Sequence, residues 1–387
     1  MSLQSRAVTM TKQMIQIEST DPGTYEQAMA DWISNQLAGY QNVKLTYQEV
    51  LPGRPNLMAE LPGDPDLPAL VMICHMDTVV VGDGWTLPPF DALEKDGKIY
   101  GRGACDMKSG LACCLSAFQY AAEELHASGS ATKQTIKLIC SMDEEDFMRG
   151  SEACIRAGWV SAHDWVIDAE PTNGQIQMAH KGRTWYEIDV QGHTAHASTP
   201  WKGADAIAAM AEIICEIRHA IQAAPAHPDM GSSSVTFGQI TGGYRPYVVP
   251  DHCKVWIDLR LVPPLNTKRT NEIVEAAIAH AMQSVTGISA SYKITGDRPP
   301  IEQNPDCPLL KHLKESCREI TGTKPIVSCF TGYTDTAVIA GQLHNRNCMS
   351  YGPGCLEAAH QPDEWVVIDD ILRCEKVYRN LIKKLMF

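Results

Sequence analysis

Three short apolar runs in this chain each break off at a side chain able to hold a metal or move a proton. PALVMICHMD (68–77) ends on His75 and Asp77, TIKLICSMDEED (135–146) ends on four acidic groups, and DWVIDAEP (164–171) ends on Glu170 and a proline. Short, continuously apolar runs are what strands buried on both faces require. Around them lie segments with helical spacing of apolar positions, at 3–18, 24–39 and 108–127, the last opening after a Gly-rich turn. Such alternation predicts an α/β fold, a mostly parallel sheet covered by helices, in which ligands gather at the carboxyl ends of strands.

The pattern changes after residue 180. TWYEIDVQG (184–192) alternates with the two-residue period of a half-exposed strand, and residues 204–222 form an amphipathic helix with Ile207, Met210, Ile214, Ile217 and Ile221 on one side. VTFGQITGG (235–243) and CKVWIDLRLV (253–262) read as further strands, followed by a helix over 268–284. From about residue 296 the first pattern resumes. A chain of 387 residues exceeds what one hydrophobic core usually supports. We therefore expect one domain made of 1–180 and 296–387, with a smaller α+β domain, 181–295, inserted into it.

The 33 basic against 46 acidic residues give a net charge of −13, which opposes nucleic acid or an anionic membrane as the main partner. The N-terminus has no apolar core of signal-peptide length, and no run approaches the roughly 18 apolar residues of a membrane span. A cytoplasmic location is expected. The fourteen cysteines lie singly apart from Cys113-Cys114, mostly in apolar stretches, and form no C-x-x-C pair. They read as reduced core thiols rather than disulfides or zinc ligands.

Residues two apart on an extended chain share a face, so His75 and Asp77 leave a strand end together, the imidazole free to ligate while the carboxylate orients it. Taken alone, H-x-D fits a hydrogen-bonded strand-end histidine equally well. Asp106, in YGRGACDMKSG (100–110), is either a helix cap or a carboxylate bridging two cations. The run SMDEED resembles a solvated loop, yet four acids at the end of a buried strand are costly unless cations neutralise them. Glu170 and His360, the latter in AAHQPDEWV (358–366), complete a set of nitrogen and oxygen donors. That set suits zinc, or cobalt or manganese in its place, and the number of acids suits two ions better than one. No G-x-S-x-G, P-loop, G-x-G-x-x-G or H-E-x-x-H motif competes.

HMDT, GRGACDMKSG, SMDEED, DAEPT, GHTAHASTPWKGADAI, VVPDHCKVWIDLR and AAHQPDEWV, in this order, resemble the zinc aminoacylase and carboxypeptidase family. That family includes acetylornithine deacetylase, succinyl-diaminopimelate desuccinylase, carboxypeptidase G and aminoacylase. The resemblance implies a dizinc centre with His75 and Glu170 on one ion, Glu145 and His360 on the other, and Asp106 bridging both. It further implies that Glu144 is the general base toward a water activated by the zinc pair and that Asp77 supports His75. Asp168, two residues before Glu170, is a secondary ligand candidate. The first domain is then catalytic and the inserted one a lid and dimerisation domain, making the protein a homodimer. Within the lid, the resemblance gives His196 the task of binding the tetrahedral intermediate, often across the dimer, and Arg260 that of receiving a substrate carboxylate. A helix cap for His196 and an ordinary strand ion pair for Arg260 are the structural alternatives.

One departure stands out. Tyr247 occupies the position before VVP where the family commonly carries a substrate-contacting Asn, so substrate contacts do not transfer directly. Thr334, in GYTDTAV beside Asp335, matches a segment next to the site or caps the following helix. The expected activity is hydrolysis of the amide bond of an N-acyl amino acid. A dipeptidase or carboxypeptidase acting on short peptides is the alternative with the same chemistry. An inert metal-binding or ligand-binding protein would have lost the base or a ligand, whereas Glu144 and all five expected ligands are present.

Overall fold

A computed structural model describes residues 5–387. In chain order the main elements begin with α1 (Arg6–Ile15), α2 (Gln27–Leu37), β1 (Lys44–Leu51), β2 (Arg54–Leu61), β3 (Leu70–His75) and α3 (Ser109–Ser128). Next come β4 (Ile136–Ser141), α4 (Arg149–Arg156), β5 (Trp165–Asp168), β6 (Ile176–His180) and β7 (Gly182–Gln191). After them stand α5 (Ala206–Ala223), β8 (Ser234–Gly242), β9 (His252–Leu261), α6 (Thr267–Ser284) and β10 (Ser289–Arg298). The chain closes with α7 (Pro308–Thr321), β11 (Val327–Phe330), α8 (Asp335–Leu343), β12 (Cys348–Ser350) and α9 (Ile368–Met386).

Eight strands form one sheet in the order β11-β6-β12-β5-β3-β4-β2-β1. Its centre is parallel, through the pairs β12-β5, β5-β3 and β3-β4. Its margins are antiparallel: β2 and β1 form a hairpin on one side, and β6 pairs antiparallel with β12 on the other. The sheet is therefore mixed around the expected parallel core. In register, His75 stands opposite Ser141, and Asp168 opposite both Ile73 and Ser350. The carboxyl ends of four neighbouring strands thus arrive at one edge.

The core follows from composition. Each residue of β3 is buried, as a strand covered on both faces requires. Small and apolar nearly all round, α3 is buried along most of its length and packs against α1 and α9. The chain divides into two compact units. One runs through Met178 and takes in Gln303–Phe330 and Thr334–Phe387; the other comprises Ala179–Glu302 with Thr331–Tyr333. Each has its own apolar cluster. The second is a four-stranded antiparallel sheet, β8-β9-β7-β10, covered by α5 and α6.

The buried face of α5 differs from the one expected. Met210, Ile217 and Ile221 are buried, but Ile213 replaces Ile214 beside them and Ile207 is 42% exposed. Ala206 and Ala209 lie in that core face, so the stripe is rotated toward small residues that let the helix approach its sheet. No disulfide joins any of the fourteen cysteines. Among the described residues no helix is long and apolar enough to cross a membrane.

Candidate metal centre

His75 ends β3 fully buried. Its Nδ1 lies 2.9 Å from the main-chain carbonyl of Asp77, whereas the Asp77 carboxylate is 3.6 Å away. A carbonyl can only accept, so Nδ1 donates and Nε2 is left to face the site. There Nε2 stands 3.1 Å from Asp106 Oδ1 and 3.8 Å from Glu170 Oε1. The orienting group is thus the Asp77 backbone rather than its side chain.

The Asp77 carboxylate has a different task. Its two oxygens accept the amides of Glu144, at 3.2 Å, and Glu145, at 3.0 Å. The two preceding amides in the turn are also held by buried side chains: Met142 donates to Asn56 Oδ1 at 3.0 Å and Asp143 to Glu26 Oε1 at 3.2 Å. Four consecutive N–H groups beyond the end of β4, where the sheet offers no partner, are therefore satisfied by side chains, as buried amides must be. The turn needs the left-handed conformation that Asp143 adopts, with φ +64°. Arg149 fixes Asp143 through Nε at 2.6 Å, and Arg54 stands between Asp21, Glu26 and Asp143 at 2.6, 2.9 and 3.5 Å.

Asp106 lies in the tight loop before α3, with its amide on the Glu364 carboxylate. Its carboxylate divides between the two imidazoles: Oδ1 faces His75 Nε2, and Oδ2 lies 3.3 Å from His360 Nε2. His360, in a positive-φ loop before α9, also lies 3.0 Å from Glu145 Oε2. Glu170 follows β5 on a main chain pressed between two glycines. A Cβ on either Gly110 or Gly352 would stand 2.1 Å from the Ala169 carbonyl oxygen, so only glycine admits this approach.

The donors form two overlapping groups, His75-Asp106-Glu145 and His75-Glu144-Glu170, each within 4.8 Å. Among the described residues, no Lys or Arg forms an ion pair with Asp106, Glu144, Glu145 or Glu170. Burial pushes the Glu144 and Glu170 carboxyls well above the usual range, and neighbouring carboxylates add to it. Burial likewise raises Asp77, to about 8, against the pull of His75. Asp106 goes the other way, because hydrogen bonds from His360 and His75 outweigh its burial. For His75, burial is outweighed by Asp106 and the surrounding carboxylates, which hold its pKa well above normal. The field that favours a proton on that nitrogen favours a metal cation equally. Buried acids without basic partners, facing two imidazoles, fit a pair of divalent cations. A third acidic group, Asp21-Glu26-Asp77, is different, because Arg54 already neutralises two of its members.

Asp168 takes no part in these groups; its Oδ2 accepts from Thr336 at 2.8 Å. Thr334 is the N-cap residue of α8, and its hydroxyl pairs with that of Thr336 rather than capping a main-chain amide of the helix. Three further candidates belong to the second unit. His196 is exposed, with Nδ1 2.8 Å from the Ser198 hydroxyl. Tyr247 is 60% exposed. Arg260 makes a two-point ion pair with Asp258 on its own strand, at 2.8 and 3.1 Å. Sequence reasoning missed Glu26, Arg54 and Asn56, whose partners are remote in sequence. It also passed over Glu364, which stood inside the quoted AAHQPDEWV motif and carried a signal in its position.

Carboxylates and imidazoles gathered at the strand ends of an α/β domain form a site suited to metal ions. The chain belongs to Peptidase family M20/M25/M40, whose model matches residues 71–384. A probable succinyl-diaminopimelate desuccinylase of Staphylococcus epidermidis is 27% identical over 387 residues, covering 93% of each chain. An acetylornithine deacetylase of Myxococcus xanthus is 28% identical, covering 81% of this chain and 79% of that one. In fold the chain is similar to the aminopeptidase PepT of Bacillus cereus, with a TM-score of 0.81 at 20% identity over 99% of both chains.

Proposed function

We propose that this enzyme hydrolyses the amide bond of an N-acyl amino acid at a pair of divalent cations, zinc or, in its place, cobalt or manganese. The observation that carries this reading is the divided Asp106 carboxylate, one oxygen toward each imidazole. His75 and Glu170 would hold one ion, Glu145 and His360 the other, with Asp106 shared. Bound there, two divalent cations supply an acidified water and an electrophile for the scissile carbonyl.

The protein's own groups do the rest. Glu144 has a carboxylate oxygen within 4.8 Å of donors on His75 and Glu170, and it accepts the proton of the attacking water and passes it to the leaving amine. Asp77 holds Glu144 and Glu145 by their amides, so the base and its ligand neighbour diverge from one fixed turn. The roles of His196, Arg260, Tyr247 and Thr334 toward substrate rest on the family resemblance. A guanidinium suits a carboxylate, and Arg260 would exchange its bonds with Asp258 for it. A homodimer through the second unit belongs to the same proposal, and its mass by light scattering tests it.

The acyl-amino-acid reading is supported by relatives named as a desuccinylase and a deacetylase. The family description and the PepT-like fold favour the second reading, an exopeptidase. Amine release measured by mass spectrometry separates the two. Metal-free protein is reloaded with zinc, cobalt or manganese and offered N-acetyl, N-succinyl and N-formyl amino acids beside dipeptides, with Glu144→Gln as control. Cleavage of one acyl class, lost in the control, is expected. Dipeptides cleaved much faster than every acyl amino acid would overturn the first reading in favour of the second.

A further inference from the structure

One buried side chain clasps the whole Asp106 loop. Glu364 is 1% exposed, and both its oxygens are committed to that loop. Oε1 accepts the amides of Cys105 and Asp106 at 2.8 and 3.0 Å. Oε2 accepts the amide of Gly103 at 3.1 Å and Nη1 of the equally buried Arg102 at 2.6 Å. Its main-chain carbonyl adds a fifth bond, from the Gly101 amide at 2.9 Å. The residues that follow, Trp365–Val367, pair antiparallel with Lys98–Tyr100, and Asp363 caps the turn at Thr86 and Leu87. Glu364 also stands four residues after His360. One carboxylate therefore ties the segment that presents His360 to the segment that presents Asp106.

We propose that Glu364 is a positioning residue for the metal pair, holding the Asp106 main chain so that its carboxylate stays divided between the two imidazoles. The proposal rests on the ligand assignment given above. An ionised carboxylate is the side chain this place demands, because it offers acceptors alone and meets four donors. An amide of equal shape would turn its NH₂ toward two backbone N–H groups or toward Arg102, setting donor against donor. The loss falls first on the ion shared by Asp106, Glu145 and His360, because Glu364 reaches both the Asp106 and His360 segments. The other ion keeps His75 and Glu170, which β3 and β5 position independently.

Calorimetric titration of the metal-free full chain with zinc, alongside its melting curve, tests this. Wild type is expected to take up two ions. Glu364→Gln is expected to bind one of the two ions about 10- to 100-fold less tightly, the usual effect of removing a group that orients a metal ligand, with the other ion within about threefold of wild type. Asp363→Asn, which disturbs the same loop without touching Asp106, is expected to bind both ions as wild type does. Unchanged affinities in Glu364→Gln overturn the proposal. So does equal loss of both ions with a lowered metal-free melting point, or the same loss in Asp363→Asn. If Glu364→Gln does not fold, Glu364→Asp keeps the charge beside Arg102 but withdraws the carboxylate from the amides, and the same selective weakening is expected of it. A wild-type chain that takes up only one ion overturns the ligand assignment itself, a result distinct from the failure of Glu364 alone.

Discussion

Replacing Arg54 by Met tests the electrostatics beneath the turn that carries Glu144 and Glu145. The Arg54 guanidinium is 8% exposed and lies among Asp21, Glu26 and Asp143, which are 7%, 0% and 0% exposed. Burial pulls the Arg54 pKa down, but hydrogen bonds to Glu26 and Asp21 more than reverse this, so the charge is secure. Arg54→Met strands these acids, leaving Arg149 on Asp143 alone. Breaking a buried ion pair from one side costs about 3 to 5 kcal/mol. At about 2 to 4 °C for each kcal/mol in a domain of this size, the melting midpoint should fall by roughly 10 °C. The assay is thermal and urea unfolding of metal-free protein, in a cycle with Glu26→Gln. The double variant should recover about half the loss, since neutralising Glu26 removes part of the stranded charge. Arg54→Met within about 1 kcal/mol of wild type would refute the reasoning, because so small a loss is typical of exposed pairs.

Glu144→Gln should lower kcat by about 10² to 10⁴ while leaving zinc content at two ions, as read by elemental analysis. Gly352→Ala places a methyl 2.1 Å from the Ala169 carbonyl and 2.4 Å from that of Glu170. It should cost about 1 to 3 kcal/mol in urea unfolding and weaken zinc binding beside His75. His180 is buried, and burial lowers its pKa from 6.5 to about 3. Between those values the unfolded chain binds the proton and the folded one does not, so stability is lost as pH falls through that window. From pH 7 to pH 5 the contribution is about 2 kcal/mol. Urea unfolding of His180→Phe at the two pH values should show a loss smaller by that amount.

The strands that present ligands were legible because their runs are continuously apolar and end abruptly. β3 needed nothing beyond PALVMICH to be placed, and the ordered acids and histidines after such runs marked the site. The hairpin β1-β2 escaped notice because β1 is a margin strand, half-exposed along its length, and β2 carries a proline near its start. In α5 Ile217 and Ile221 marked the buried stripe, whereas Ile207 and Ile214 lie off it, since two alanines and Ile213 are what the sheet accepts at close range. Arg54 and Glu26 meet across 28 residues and Glu364 and Asp106 across 258. No local pattern encodes such pairs, so the acids and histidines gathered at the strand ends could be read from the sequence while most of the groups that hold them could not.

The reach of Glu364 also sets an order in time. Along the chain His75, Asp106, Glu145 and Glu170 all come well before Glu364. The amides of the Asp106 loop lack their acceptor until residue 364 has been made. The pairing of the two segments is thus set only once residue 364 has joined the Asp106 loop. A product that stops short of residue 360, or a fragment clipped there, carries His75, Asp106, Glu145 and Glu170 but neither His360 nor Glu364.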